Sequence, residues 1–336
     1  MANSPHPVLL GPVARELEVR GHEIIITARD HAQTRDLTLS TWPDALLIGS
    51  ESPASRTAKA RAIAGRVLRL RAFAAHMKVD VAASLGSYAQ IVAARSLGIP
   101  VLTLMDYEFQ PANHVSFRLA KLVVVPSVFP ARRLTRYGAS PSRVVRYDGF
   151  KEEFYLDEED AAPSLDTEDG RSVAVFRPPP EGALYHQHGN AEFELVLAHA
   201  IERDDVRVVV LPRVSGQRAT YVEMAGVEVP ERAVDGLALL RSADVFVGAG
   251  GTMCREAALL GVRAYTMFAG RFAAVDAELI RQGILHDLRA GGPAGVDWAR
   301  RDSQESLRLR ERRHQRGVML RDWLVTRIES LAWRCA

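Results

Sequence analysis

Gly248, Gly250, Gly251, Thr252 and Glu256 crowd into one short stretch, Val247–Gly261, which reads VGAGGTMCREAALLG. The apolar run Ala243–Val247 before it reads as a strand, and the spacing after it predicts a helix opening at Thr252. Glycines in a strand-to-helix turn let backbone N–H groups approach an anion closely. The helix N-terminus adds unpaired donors and the positive end of a dipole. Glu256, one turn into the helix, could accept hydrogen bonds from a ribose. A tight corner with Glu256 solvated uses the same residues, so the turn gains meaning only from its surroundings.

Arg177 follows an apolar strand and precedes Pro178-Pro179-Pro180, and Arg213 stands equivalently after Val206–Leu211. An arginine at a strand's carboxyl end faces the crevice where an open parallel sheet binds ligands, and it can clamp phosphate with two N–H bonds. The alternative for each is a surface salt bridge. Asp106 and Glu108 follow the strand Val101–Met105 and could serve as general base and acid if their surroundings separate their pKa values. Loop capping is the alternative. His6 opens the first helix, where a neutral imidazole could act as base or bind an acceptor. Ser87 follows the strand Val81–Leu85 and can bind a ligand or cap the helix beginning at Tyr88. His186 and His188 have no nearby carboxylate or cysteine to complete a metal set, so no metal and no cofactor are expected.

The elements that must position these residues alternate along the chain. Helices are expected at Val8–Arg20, Arg56–Met77, Tyr88–Leu97 and Ala131–Tyr137, with strands at Glu23–Thr27, Ala45–Ile48, Val81–Leu85, Val101–Met105 and Leu122–Val125. After the acidic, apolar-poor stretch Leu156–Gly170 the pattern restarts. Strands follow at Ser172–Phe176, Val206–Leu211 and Arg263–Met267, with helices at Ala191–Ile201, Gly236–Arg241 and Ala274–Gln282. Arg300–Trp333 reads as helix broken near Gly317. This alternation predicts two doubly wound α/β domains. The expected division is 1–155, a linker or loop at 156–170, a nucleotide-sugar-binding domain at 171–300, and a helical segment at 301–336 packing back on the first domain. One strand is unaccounted for. A doubly wound domain places a central strand before its first helix, whereas this sequence opens at Asn3–Pro7. Either that strand is encoded upstream or the domain lacks it; the first is preferred, because a lost central strand exposes two sheet edges.

At 336 residues, 47% hydrophobic and 25% charged, the composition is globular, and a net charge of +2 gives no general case for nucleic acid. Cys254 and Cys335 form no redox or metal spacing, and a cytoplasmic setting is expected. The helix at 56–78 carries Arg56, Lys59, Arg61, Arg66, Arg69, Arg71 and Lys78 without an acidic residue among them. That face suggests peripheral contact with the inner membrane surface, or simple solvation.

The segments NSPHP, ELEVRGHEIIITARD (Glu16–Asp30), LGSYAQIVAARSLGIP (Leu85–Pro100), MDYE (Met105–Glu108), YDGFKEEFYL (Tyr147–Leu156), FRPPPEGALYH (Phe176–His186) and VGAGGTMCREAALLG resemble a poorly characterised bacterial and archaeal family with a GT-B-like fold. That fold also includes nucleotide-sugar glycosyltransferases and the non-hydrolysing UDP-N-acetylglucosamine 2-epimerases. The resemblance implies two Rossmann-like domains with a cleft between them, which His6 would face. It places Gly250, Gly251, Thr252 and Glu256 where relatives hold the diphosphate and ribose of a nucleotide sugar. Ser87 falls where the epimerases carry an acidic catalytic residue in an HGDT segment; this chain reads LGSY. The implied function is a metal-independent glycosyltransferase using a UDP-sugar and an unknown acceptor. The alternatives are a nucleotide-sugar epimerase or a non-catalytic nucleotide-sugar-binding protein.

Overall fold

The computed structural model describes residues 1, 5–49, 55–157, 169–179, 191–231 and 235–333, and the chain divides into two units. The first comprises Met1–Tyr155 and Arg316–Ala336, the second Leu156–Gln315. His186, His188 and Cys335 lie outside the described residues.

In the first unit, α1 (Pro5–Val19) leads to β1 (Thr27–Ala28), α2 (Ala32–Thr41), β2 (Leu46–Leu47) and α3 (Arg56–Ala74). The chain continues through β3 (Ala82–Leu85), α4 (Tyr88–Ser96), β4 (Val101–Leu104), α5 (Asn113–Leu119), β5 (Leu122–Pro126), α6 (Ala131–Arg136) and β6 (Val144–Tyr147). Every strand pairing is parallel, as right-handed helical crossovers require. The strands form two pieces, β1-β2 and β3-β4-β5-β6. The residues before β1 show the consequence. Glu23–Thr27 was expected as a strand, but regular pairing covers only Thr27–Ala28, because β1 has a strand partner on one edge alone.

β4 and β5 are buried on both faces and apolar but for Thr103, as strands covered by helices on both sides must be. Phe117 of α5, Phe129, Leu134 of α6 and Tyr137 close one side over Val123 and Val125. On α3, Leu70 is buried as the apolar stripe requires, and Lys59, Arg61, Arg69 and Arg71 are exposed. Arg66 departs from that basic face. It is buried and donates from Nη2 to the Met1 carbonyl at 3.1 Å.

The second unit contains β7 (Ser172–Arg177), α7 (Ala191–Ile201), β8 (Val206–Val210), α8 (Ser215–Val222), β9 (Val227–Glu228), α9 (Gly236–Ser242) and β10 (Val245–Gly248). It ends with α10 (Thr252–Leu259), β11 (Arg263–Thr266), α11 (Ala274–Arg281), β12 (Leu285–Asp287) and the start of α12 (Ser303–Trp333). The sheet order is β12-β11-β10-β7-β8-β9, parallel throughout, with the first strand in the middle. α7 shows how one sequence pattern builds this layer. Phe193, Val196, Leu197 and Ala200 recur at helical spacing and are all buried against the sheet, while Glu192 and Glu194 sit in the first turn, where the helix dipole favours them.

α12 corrects two expectations. It runs unbroken through Gly317, and the return to the first unit begins at Arg316 rather than at 301. The earlier portion is tied to the second unit: Arg301 Nη2 donates to the Arg241 carbonyl at 2.6 Å and Arg313 Nη1 to that of Leu259 at 2.8 Å. From Arg316 on, the partners are in the first unit. Arg316 pairs with Glu153 at 3.0 Å, and Glu329 meets Arg20 at 3.2 Å and His22 at 2.9 Å.

Candidate functional site

In the second unit, β8, β7 and β10 lie side by side, so residues at their carboxyl ends meet. Arg177 ends β7 and pairs in register with Gly248, the last residue of β10. Its Nη1 donates to the carbonyls of Leu211 and Pro212, both at 2.9 Å. Arg213, just beyond β8, donates from Nε to the Pro178 carbonyl at 2.7 Å. These bonds are to neutral carbonyls, and no carboxylate pairs with Arg177 among the described residues. Burial lowers the Arg177 pKa to about 10, and repulsion from Arg213 adds to the effect. Both guanidinium groups remain cationic at neutral pH.

The glycine turn lies against this pair. A Cβ on Gly250 would stand 2.6 Å from Arg213 Nη2, and one on Gly251 would stand 3.0 Å from Arg255 Nη1. Neither glycine has a positive φ, so they are needed for close approach rather than for an unusual backbone. Gly251 is the N-cap of α10 and offers no capping side chain. The first-turn N–H groups of α10 therefore open beside two half-buried arginines, at the crossover between β7 and β10 where an open parallel sheet binds ligands.

Thr252 and Glu256 are half-buried on this helix, whereas Arg255 is buried and bonded to Asp276 at 2.9 Å. Cys254 is buried, its thiol pushed up to about 12 by desolvation, so it packs rather than reacts. Gln217 is a site-building residue that the sequence reading missed. Its Oε1 accepts from the Arg213 backbone N–H at 2.8 Å, and its Nε2 donates to the Pro179 carbonyl at 2.7 Å, fixing both loops. The available signal was a glutamine in the first turn of a helix, placed to reach back toward the preceding backbone.

The first unit gathers a second cluster. Asp106 stands two residues beyond β4 and accepts from Lys151 Nζ at 2.6 Å, with both side chains nearly buried. Glu152 Oε1 is 3.5 Å from the same ammonium. His6, in the first turn of α1, is buried and its pKa is lowered to about 3. Desolvation is the largest cause, followed by the Met1 amine, Lys151 and Arg66, while Asp106 opposes them. The imidazole is therefore neutral.

Glu108 is buried as well, and its backbone carbonyl accepts from Tyr137 Oη at 2.7 Å. Neither carboxylate lies open at the surface. Ser87 occupies the N-cap position of α4 without making a side-chain cap bond, and its buried Oγ meets no hydrogen-bond partner among the described residues. Lys151 was passed over in the sequence, although it is one of only four lysines in a chain rich in arginine. No group of three or more His, Cys, Asp or Glu suited to a metal occurs among the described residues. No described helix is long and apolar enough to cross a membrane.

The family model described as "Protein of unknown function (DUF354)" matches residues 1–289. The chain belongs to this DUF354 family. A relative in sequence is "Uncharacterized protein MJ0665" of Methanocaldococcus jannaschii, 26% identical over 292 residues, covering 84% of each chain. Among solved structures, the Staphylococcus aureus MnaA–UDP complex superposes with a TM-score of 0.66 at 16% identity, over 94% of this chain and 88% of that one. The Methanocaldococcus jannaschii UDP-GlcNAc 2-epimerase in complex with UDP-GlcNAc and UDP gives 0.66 at 12% identity, over 92% and 96%. Acinetobacter baumannii MurG gives 0.54 at 18% identity, over 98% of each chain. At these identities the likeness establishes the fold: this DUF354 chain has two GT-B-like, Rossmann-like domains.

Proposed function

We propose that this DUF354 protein is a nucleotide-sugar-dependent glycosyltransferase with a UDP-linked donor. The observation that carries the reading is the pairing of Arg177 and Arg213 beside Gly250-Gly251 at the N-terminus of α10. Arg177 donates to neutral carbonyls and is repelled by Arg213, and an anion bound at the pair would relieve that repulsion. A diphosphate supplies that anion, taking charge-assisted bonds from the guanidinium groups and further bonds from the helix N-terminus. Glu256 would accept from the ribose hydroxyls. The neighbours whose structures contain UDP or UDP-GlcNAc support this choice of ligand.

In the transfer step an acceptor hydroxyl attacks the anomeric carbon, the bond from that carbon to the diphosphate oxygen breaks, and the hydroxyl proton passes to a base. The arginines and helix N–H groups stabilise the departing diphosphate, so no metal is invoked. His6, with Asp106 acting on it, is the candidate for the acceptor side, and Glu108 is the other candidate carboxylate. Burial is the largest cause that holds His6 neutral, and neighbouring positive groups add to it.

Epimerisation is the second reading, favoured by the UDP-GlcNAc 2-epimerases among the structural neighbours. Against it stands Ser87, where the resemblance calls for an acid. Incubation with a panel of labelled UDP-sugars and candidate acceptors separates the readings. Free UDP with a glycosylated acceptor is the expected result. Interconverted sugar would mean an epimerase, and saturable binding without turnover a non-catalytic binder.

A further inference from the structure

The positive charge of the chain is gathered in one part of the first unit. Residues 56–147 hold fifteen lysines and arginines against three acidic residues, whereas the whole chain has a net charge of only +2. Of those acids, Asp106 and Glu108 are buried. The stretch contains α3, α4, α5 and α6, and none of the four helices has an acidic residue. They form one layer on the sheet β3–β6. Ile91 and Ala94 of α4 pack with Val101, and Phe117 of α5 and Leu134 of α6 pack with Val123 and Val125. Thr103 pairs with Val123 and lies two residues beyond Val101, so Val101, Val123 and Val125 point to the same face. α3 joins the layer where Leu70 meets Ala89 and Ala93.

The outer surface of this layer is basic. Lys59, Arg61, Arg69 and Arg71 of α3 are exposed, and so are Arg95 of α4 and Arg118 of α5. Arg132 and Arg136 of α6 continue the row. Helix stability accounts for part of this. Arg71, Arg95, Arg118 and Arg136 stand in last turns, where the helix dipole favours a cation. The same rule would place acids in the first turns, and none of the four helices has one. Lys59, Arg61 and Arg69 lie outside the last turn of α3, and no acidic residue stands three or four positions away to pair with them.

A large apolar side chain stands among these cations. Leu68 is 65% exposed, and it lines a shallow groove on α3 with Arg61, Arg69 and the small residues Ala62 and Gly65. Met77, just beyond α3, and Val115 of α5 are exposed as well. Cations around protruding apolar side chains match the interface of an anionic bilayer. There the charged heads stay among the lipid headgroups while apolar tips enter the acyl boundary. A nucleic-acid backbone offers the charge without the apolar phase. We propose that the α3–α6 face of the first unit docks on the surface of an anionic phospholipid membrane. This contact is independent of the ligand held by the second unit.

The test is flotation of the full chain with vesicles of phosphatidylcholine alone and of phosphatidylcholine mixed with phosphatidylglycerol. Only the mixed vesicles should carry the protein, and rising salt should release it as the surface charges are screened. Arg61→Glu combined with Arg69→Glu should weaken vesicle binding by roughly twentyfold or more, at about fivefold for each cation lost. Leu68→Ser should weaken it severalfold at every salt concentration. All three side chains are exposed, so the thermal midpoint should hold in both variants. Equal flotation with the two kinds of vesicle, or unchanged binding by the double-arginine variant, would overturn the proposal. So would tighter binding to an oligonucleotide that strips the protein from the vesicles, which would assign the face to nucleic acid.

Discussion

At the scale of residues, the central question is what Arg177, Arg213 and the glycines hold. Arg177→Ala removes one guanidinium and should weaken UDP binding by about 1.5–3 kcal/mol, the range for hydrogen bonds to charged groups. Gly250→Ala is a sharper probe, because its Cβ would meet only the mobile end of Arg213. It should displace that guanidinium and weaken UDP binding while leaving the melting curve nearly unchanged. Gly251 is a poorer choice, since crowding Arg255 disturbs the buried pair with Asp276. In the other unit, Lys151→Met leaves Asp106 buried without its cation. Chemical denaturation should show a loss of about 3–5 kcal/mol, the cost of breaking a buried ion pair from one side. The glycines and strand-end arginines were legible in the sequence because their geometry is local. Gln217 and Lys151 were not, because their importance comes from partners brought in by the fold.

At the scale of elements, helix and strand alternation was readable wherever apolar periodicity was strong. α7 shows this, with Phe193, Val196, Leu197 and Ala200 marking its buried face. The short elements β6, β9, β12 and α2 were passed over, since two to four strand residues or a polar helix carry little periodic signal. Gly317 suggested a break in α12, but the flanking turns carry the helix through. Gly65 offers a direct test of α3. It lies mid-helix without a positive φ, and an added Cβ meets nothing within 4 Å. Gly65→Ala should therefore stabilise the first unit by about 0.5–1 kcal/mol, read from the denaturation midpoint. Gly86 should behave oppositely. Its φ is +62° and a Cβ there would strike Met105, so Gly86→Ala should destabilise.

At the scale of the whole molecule, two parallel sheets were expected from the sequence; the described residues form three, a six-stranded sheet in the second unit and a two-stranded and a four-stranded sheet in the first. The pH response of the first unit follows from two buried bases. The Met1 amine falls from 8.0 to about 5 and His6 from 6.5 to about 3. For each, the unfolded chain binds more protons between the two values, so stability rises with pH across that window. Glu153, raised by burial, acts in the opposite sense above its ordinary value of 4.5. The interval from pH 6.5 to 8 reports chiefly on the amine. Denaturation there should show stability climbing with pH, by up to about 4 kcal/mol over the full three-unit shift. Acetylating the amine should flatten the climb.

The central claim is that the turn before α10 and the two arginines hold a nucleoside diphosphate. Calorimetric titration of the intact chain with UDP, alongside Arg177→Ala and Gly250→Ala, tests it most directly. The account predicts saturable binding at one site, weakened roughly tenfold or more in both variants, with their thermal transitions preserved. Binding to the intact chain that is unchanged in both variants, or no binding at all, would contradict it.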